Sequence, residues 1–239
     1  MSEQISAELQ AKIEHVAGLL KQAEADYANG IVFANSLGAE DVVLTDLISR
    51  YAPGIRMFVL DTGRLPEETL KLLAQVRSHY GNLKLDVYYP EAADVEAYVA
   101  ENGINAFYES QALRKGCCFV RKIKPLKRAL SGQQAWITGL RREQSVTRDE
   151  IAFSEWDEGN GLQKLNPLAD WSEKEVWAYI RANEVPYNEL HDRHYPSIGC
   201  APCTRAISMG EDVRSGRWWW ENPENRECGL HPATPLKFK

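Results

Sequence analysis

The sequence predicts an α/β fold, a parallel sheet flanked by helices, and three observations carry the prediction. Short apolar runs alternate with patterns of helical length, the arrangement of βαβ units. Each run stops at a turn of small or polar residues. The length of 239 residues lies near the upper limit for one hydrophobic core, so a single domain with an appended tail is expected.

Leu9, Ile13, Val16 and Leu20 recur at three- and four-residue steps, which predicts an amphipathic helix over residues 6–28. The first strand is Ile31-Val32-Phe33-Ala34, closed by Asn35-Ser36-Leu37-Gly38, and a helix follows through Val42, Val43, Leu44, Leu47 and Ile48. A second strand, Met57-Phe58-Val59-Leu60, ends at Asp61-Thr62-Gly63. Pro66 then opens a helix, where its missing N–H costs nothing. Residues 83–89 read as a third strand closed by Pro90, and Ala135-Trp136-Ile137-Thr138 as a fourth closed by Gly139. Ser172 and Glu175 form a capping box that starts a helix containing Val176, Trp177 and Ile180. From Pro186 to Cys203 the chain is rich in His, Pro and Gly; a short helix is predicted near 204–213, and 217–239 show no periodicity. The division is an α/β domain over 1–210 and a mobile tail over 211–239.

Hydrophobic residues at 44% and charged residues at 26% describe an ordinary soluble protein. The net charge of -6 argues against non-specific nucleic-acid binding, which needs a basic footprint. No run is long enough to span a membrane, and Glu3 and Glu8 precede any apolar stretch, unlike a signal peptide. A cytoplasmic location is therefore expected, and a homo-oligomer is compatible with all of this. In a reducing cytosol, five cysteines point to metal binding or catalysis rather than disulfides.

Ligands of an open parallel sheet bind beyond the carboxyl ends of its strands. Ser36-Leu37-Gly38-Ala39 offers a hydroxyl, a glycine for close approach and the N–H groups of a new helix, an anion site. Asp61-Thr62-Gly63-Arg64 supplies polar groups suited to a ribose or a base. Gly139-Leu140-Arg141-Arg142 brings two guanidiniums, whose planar forks suit phosphate or sulfate. Each alone is also an ordinary βα turn or a solvated Arg pair. Together they fit an adenine nucleotide carrying an unusual anionic group. No G-x-x-x-x-G-K-[ST] loop occurs.

Cys200-Ala201-Pro202-Cys203 has metal-ligand spacing, and Cys117-Cys118 supplies two more thiolates, a set suited to zinc or to an iron–sulfur cluster. Two adjacent cysteines turn both sulfurs onto one object more easily when that object has separate iron corners. The alternative is a zinc site of Cys200 and Cys203 with His191 and His194. Cys228 stands apart in the tail, where Arg214, Arg217, Arg226 and His231 could favour its thiolate and Glu227 would oppose it; a free cysteine without a role is the bland reading.

At this point a family resemblance enters. Residues 36–41, Leu60-Asp61-Thr62-Gly63 and 139–145 look like the nucleotide motifs of the phosphosulfate reductase family. Asn166-Pro167-Leu168-Ala169-Asp170-Trp171, 195–204, 214–221 and Glu227-Cys228-Gly229-Leu230-His231 are similar to its other signatures. The resemblance spans about residues 30–232. It implies an adenine-nucleotide hydrolase-like α/β fold with an irregular C-terminal tail over the active site. Members with four cluster cysteines use adenylyl sulfate rather than its 3′-phosphorylated relative. The resemblance therefore implies a [4Fe–4S] cluster on Cys117, Cys118, Cys200 and Cys203, with Cys228 as nucleophile. It further implies that Lys122, Arg214, Arg217 and His231 surround the phosphosulfate, and that thioredoxin is the electron donor, the release of sulfite passing through an S-sulfocysteine. Ser36, Gly38, Asp61, Thr62, Gly63, Arg141 and Arg142 would bind the substrate. His194 departs from the pattern, since a smaller residue is expected there. A zinc enzyme of the same fold class that adenylates tRNA and a non-catalytic nucleotide-binding regulator are the rival readings.

Overall fold

The computed structural model describes residues 5–81, 83–144 and 151–222. Helices α1 (Ala7–Tyr27), α2 (Ala39–Tyr51), α3 (Glu67–His79), α4 (Ala92–Asn102), α5 (Gln111–Cys118), α6 (Lys124–Leu130) and α7 (Glu173–Ala182) accompany six strands. These are β1 (Ile31–Ala34), β2 (Arg56–Leu60), β3 (Leu85–Tyr88), β4 (Ala135–Ile137), β5 (Ser154–Asp157) and β6 (Leu162–Leu165). The sheet order is β3-β2-β1-β4-β6-β5. β1 pairs in parallel with β2 and β4, β4 pairs in parallel with β6, and β5 runs antiparallel to β6. The mostly parallel α/β fold expected from the alternating runs is the fold observed. Chain progression reverses between β1 and β4, so their carboxyl ends form the topological switch point of the sheet.

The chain divides into two compact units. The first comprises residues 1–59, 71–86 and 132–188; the second 60–70, 87–131 and 189–239. In the first unit Phe33, Met57 and Ile137 stand side by side across β1, β2 and β4, each fully buried. The predicted stripe of α1, Leu9, Ile13, Val16 and Leu20, is buried, and Ser6 caps this helix by accepting the Leu9 N–H at 3.1 Å. The capping box of α7 forms as predicted, Ser172 and Glu175 each accepting from the other's backbone. Helix α2 is buried on nearly all sides, and its Asp46 accepts the hydroxyls of Tyr80 at 3.0 Å and Tyr179 at 2.5 Å beside Arg50 at 2.9 Å. A buried carboxylate so supplied fixes helix packing, because leaving any of its donors unpaired would cost more than the pair contributes.

In the second unit α5 runs into a π-helical turn, Phe119–Ile123, and then α6. The Lys124 N–H reaches back to the Phe119 carbonyl, five residues earlier, just before Pro125, which has no N–H to give. Helices α4, α5 and α6 and strands β5 and β6 are absent from the sequence reading. Helix α4 has no fully buried residue and α5 only Arg114, so neither presents a buried apolar stripe. In the first unit, the β5–β6 hairpin turns at Asn160-Gly161, with Gly161 at φ 70° accepting the left-handed region.

The helix expected near 204–213 does not form. Its donors go elsewhere: Arg205 N–H to Gly216 O at 3.0 Å and Ile207 N–H to His194 O at 2.9 Å. Thr204 bridges Arg217 in antiparallel fashion instead. His194 lies at φ 66°, in the left-handed region. No described helix is long and apolar enough to cross a membrane.

Candidate active site

The β1–α2 turn is built around strain and one carboxylate. Leu37 is held at φ 62°, a conformation costly for a branched side chain and typical of functional turns. Asn35 fixes it by accepting the Leu37 N–H at 2.8 Å and donating to Thr45 Oγ at 2.8 Å. Gly38 caps α2 without a side-chain hydrogen bond, so the helix N-terminus keeps its anion-binding character. Ser36 donates both its N–H, at 2.6 Å, and its hydroxyl, at 2.5 Å, to Asp41.

Asp41 closes the 36–41 motif and is not among the site residues expected from the sequence. Its signal was available: an acidic residue one position ahead of the apolar run Val42-Val43-Leu44, on a helix with little exposed surface. Burial pushes its carboxyl up to about 7, against the Ser36 hydrogen bonds that pull it down, with Glu40 adding to the rise and the Gly139 N–H opposing it. At Gly139 a Cβ would stand 2.1 Å from Asp41 Oδ1, so only glycine lets the turn after β4 lie against this carboxylate. Glu40 is paired with Arg141 at 2.8 Å. The two acids at this helix start are thus muted, one by burial and one by a guanidinium, which suits an anionic ligand.

Arg141 and Arg142 separate into distinct roles. Arg141 is buried and engaged by Glu40, by Glu143 at 3.0 Å and by the Trp171 carbonyl at 3.2 Å. It ties the starts of α2 and α7 to the turn after β4. Arg142 donates from Nε to Ile151 O at 2.8 Å and lies over the Phe153 ring.

Because the folded-state carboxyl of Asp41 titrates above its unfolded value of 3.8, its contribution to stability is full below that value and is lost as pH rises through about 7. Asp41→Asn, which cannot ionise, should therefore gain in Tm relative to wild type as pH rises from about 4 to 7. Thermal melts of both proteins across that range check it; a constant difference would mean the carboxyl titrates normally.

The second unit gathers the other predicted residues. Asp61 accepts the Gly63 N–H at 2.8 Å, and Gly63 sits at φ 70°. Thr62 is buried, and its hydroxyl lies 3.2 Å from Cys200 Sγ. This turn, read from sequence as a nucleotide contact, therefore also faces the cysteines. Arg121 donates to the Thr62 carbonyl at 2.8 Å, and Ala201 N–H to the Arg64 carbonyl at 2.8 Å. Cys117, Cys118, Cys200 and Cys203 are half-buried free thiols. Burial raises Cys117, with Arg121 and Arg64 opposing and Cys200 adding to the rise. Burial likewise pushes Cys203 up to about 12, helped by Cys200 and Cys118 and opposed by Lys122 and Arg217. Cys200 thus acts on both Cys117 and Cys203, and Cys118 on Cys203, although the two pairs come from segments over eighty residues apart. Among the described residues no group of three or more His, Cys, Asp and Glu is placed to hold a metal ion, and this is as true of the four cysteines as of Cys200 and Cys203 with His191 and His194.

Lys122 lies in the π-helical turn, five residues past Cys117, in the same unit as Cys203. Arg217 is buried, reaching Ser197 Oγ and Ile198 O at 3.3 Å each, and packs so closely on Gly199 that a Cβ there would stand 2.3 Å from its guanidinium. Arg214 accepts the Arg217 N–H through its carbonyl at 2.9 Å. Cys228 and His231 lie outside the described residues.

Comparison with known proteins places these observations in a family. Residues 30–206 match the model of the phosphoadenosine phosphosulfate reductase domain. A protein of Allochromatium vinosum named adenosine 5′-phosphosulfate reductase is 63% identical over 203 residues, covering 85% of this chain and 79% of that one. One of the same name from Burkholderia cepacia is 53% identical over 230 residues, covering 96% and 91%. The crystal structure of the phosphoadenylyl-sulfate reductase from Candida auris, in a phosphate complex, superposes with a TM-score of 0.69 at 27% identity, over 87% of this chain and all of that one.

Proposed function

Because this chain belongs to the phosphoadenosine phosphosulfate reductase family, we propose that it reduces adenylyl sulfate to sulfite and AMP, with thioredoxin as electron donor. The observation that carries the reading is the gathering of four thiols from two distant segments in one unit with Lys122 and Arg217. The donor types fit a [4Fe–4S] cluster, since soft thiolates are its protein ligands and four thiols lie in one unit. Such a cluster would organise this segment of fold beside Lys122.

Residues 1–210 form the nucleotide-binding part in this reading, and 211–239 the tail that carries the nucleophile. The Cys228 thiolate attacks the sulfuryl sulfur; the sulfur–oxygen bond breaks, and AMP leaves with the electron pair. The enzyme then carries an S-sulfocysteine. A thioredoxin thiolate attacks the Cys228 sulfur and expels sulfite, and the second thioredoxin thiol resolves the mixed disulfide, supplying two electrons in all. Lys122, Arg214, Arg217 and His231 offset charge on the phosphosulfate. Ser36, Gly38, Asp61, Thr62 and Gly63 bind the nucleotide with Arg142, while the engagement of Arg141 by two carboxylates suits a role in shaping the turn. The reaction is assigned to the cytoplasm, where reduced thioredoxin is maintained.

The test is substrate choice. With thioredoxin in excess, kcat/KM for adenylyl sulfate should exceed that for its 3′-phosphorylated relative by about tenfold or more, a difference of about 1.4 kcal/mol. Preference for the phosphorylated form would sink the assignment.

A further inference from the structure

Arg114 has no counterpart in the mechanism above, and its position is costly. It is 1% exposed, three residues before Cys117 on α5, and a buried guanidinium is tolerated only when fully paired. Its partner comes from 107 positions downstream: Nε meets Glu221 Oε1 at 2.6 Å, and Nη2 meets Oε2 at 2.9 Å. This is a two-pronged Arg–carboxylate fork, the most directional ion pair a protein makes. Glu221 is itself buried, its side chain 7% exposed.

The segment leading to Glu221 is docked along its length in the same unit. Trp218 is buried, its N–H reaches Cys203 O at 3.2 Å, and its ring lies under both the Arg114 and Arg217 guanidiniums, at 4.4 and 4.6 Å. Glu221 N–H returns to Trp218 O at 2.8 Å. Trp220 packs edge-on against Tyr108. Beyond this strap lies Cys228, seven residues past Glu221, within about 24 Å of it at full extension.

We propose that the Arg114–Glu221 ion pair is the fixed point from which the Cys228 segment departs, making both positioning residues for the nucleophile. The proposal rests on the reading of Cys228 as nucleophile. Seven residues span at most about 24 Å whatever their path, so the anchor bounds how far from it the thiol can lie. With the strap released back to Cys203, the fixed point would stand 25 residues before Cys228, and that bound would rise to about 85 Å. Arg217, which lies in the strap, would lose its place as well.

The test separates positioning from folding. Arg114→Met/Glu221→Met removes both charges and leaves no uncompensated ion; Glu221→Gln keeps the shape and weakens the fork. Each is given adenylyl sulfate without thioredoxin, and the appearance of the sulfonated Cys228 peptide is timed by mass spectrometry. AMP affinity and iron content are measured alongside. The double variant should form the adduct about tenfold more slowly or worse, and Glu221→Gln about threefold, with AMP affinity within twofold of wild type. Adduct formation at the wild-type rate in a folded double variant overturns the proposal, as does a loss of AMP affinity in step with the rate. Should the double variant not fold, Glu221→Gln decides by the same readings. Failure of the nucleophile reading looks different, because wild-type enzyme itself would then carry no sulfonate on Cys228.

Discussion

Cys228→Ser should abolish sulfite release while leaving nucleotide affinity and iron content at wild-type levels. A serine hydroxyl does not ionise near neutral pH, whereas a few per cent of an ordinary cysteine is thiolate there and intrinsically far more nucleophilic. Even a serine sulfate, once formed, could not be opened by thiol exchange, since thioredoxin attacks sulfur and expels sulfite. Both half-reactions fail together, so the loss should be on the order of 10³-fold or more in kcat, at least about 4 kcal/mol. Wild-type protein mixed with adenylyl sulfate alone should accumulate a sulfonated species, mapped to Cys228 by peptide mass. Full activity in the serine variant, or an adduct on Cys200 or Cys203, would overturn the mechanism. Nucleotide affinity should survive because the elements that shape the β1–α2 turn, Asn35, Asp41, Gly139 and Arg141, all belong to the first unit.

What the sequence revealed, and what it hid, follows from the range of the interactions. Strands β1, β2 and β4 are short apolar runs closed by polar turns, and their reading needed nothing beyond neighbouring residues. The α7 capping box is local in the same sense, spanning Ser172 to Glu175. The four cysteines stand out by type and spacing, and all four fall in one unit. Arg114 did not, because its meaning depends on a carboxylate 107 positions away, and a lone arginine near two cysteines reads as solvated surface. Asp41 fell between these cases: its place in the motif was visible, but three donors converging on it come from two separate turns. The failed helix at 204–213 is the converse error. Local composition permitted a helix, and the non-local partners Gly216, Arg217 and His194 took its backbone groups. The division between Arg141 and Arg142 was equally closed to sequence, since two adjacent arginines look alike until their carboxylates are known.

Replacing any one of Cys117, Cys118, Cys200 or Cys203 by serine should strip iron from the protein and lower its stability before any specific kinetic defect appears. Wild-type protein purified without oxygen should carry about four irons and four acid-labile sulfides per chain. A hydroxyl is a hard, neutral donor where iron–sulfur chemistry needs a soft thiolate, so the variant site holds three good ligands at most. Ligand binding by a folded segment is folding free energy, and its loss is felt where the ligands are attached. Two of them end α5 at the π-helical turn that carries Lys122. The other two flank a short helical turn whose Cys203 carbonyl holds Trp218 and whose neighbour Thr204 bridges Arg217. A missing cysteine ligand should therefore release the strap that Arg114 and Glu221 clamp, and with it the segment bearing Cys228. Metal and sulfide analysis with thermal melts of the four serine variants checks this. One zinc without sulfide in the wild type would refute the cluster, and a Cys200→Ser protein with full iron and unchanged Tm would show that Cys200 is no ligand. The Cys228→Ser protein is the internal control, because a thiol that contributes only chemistry should leave the iron, the sulfide and the melting temperature untouched.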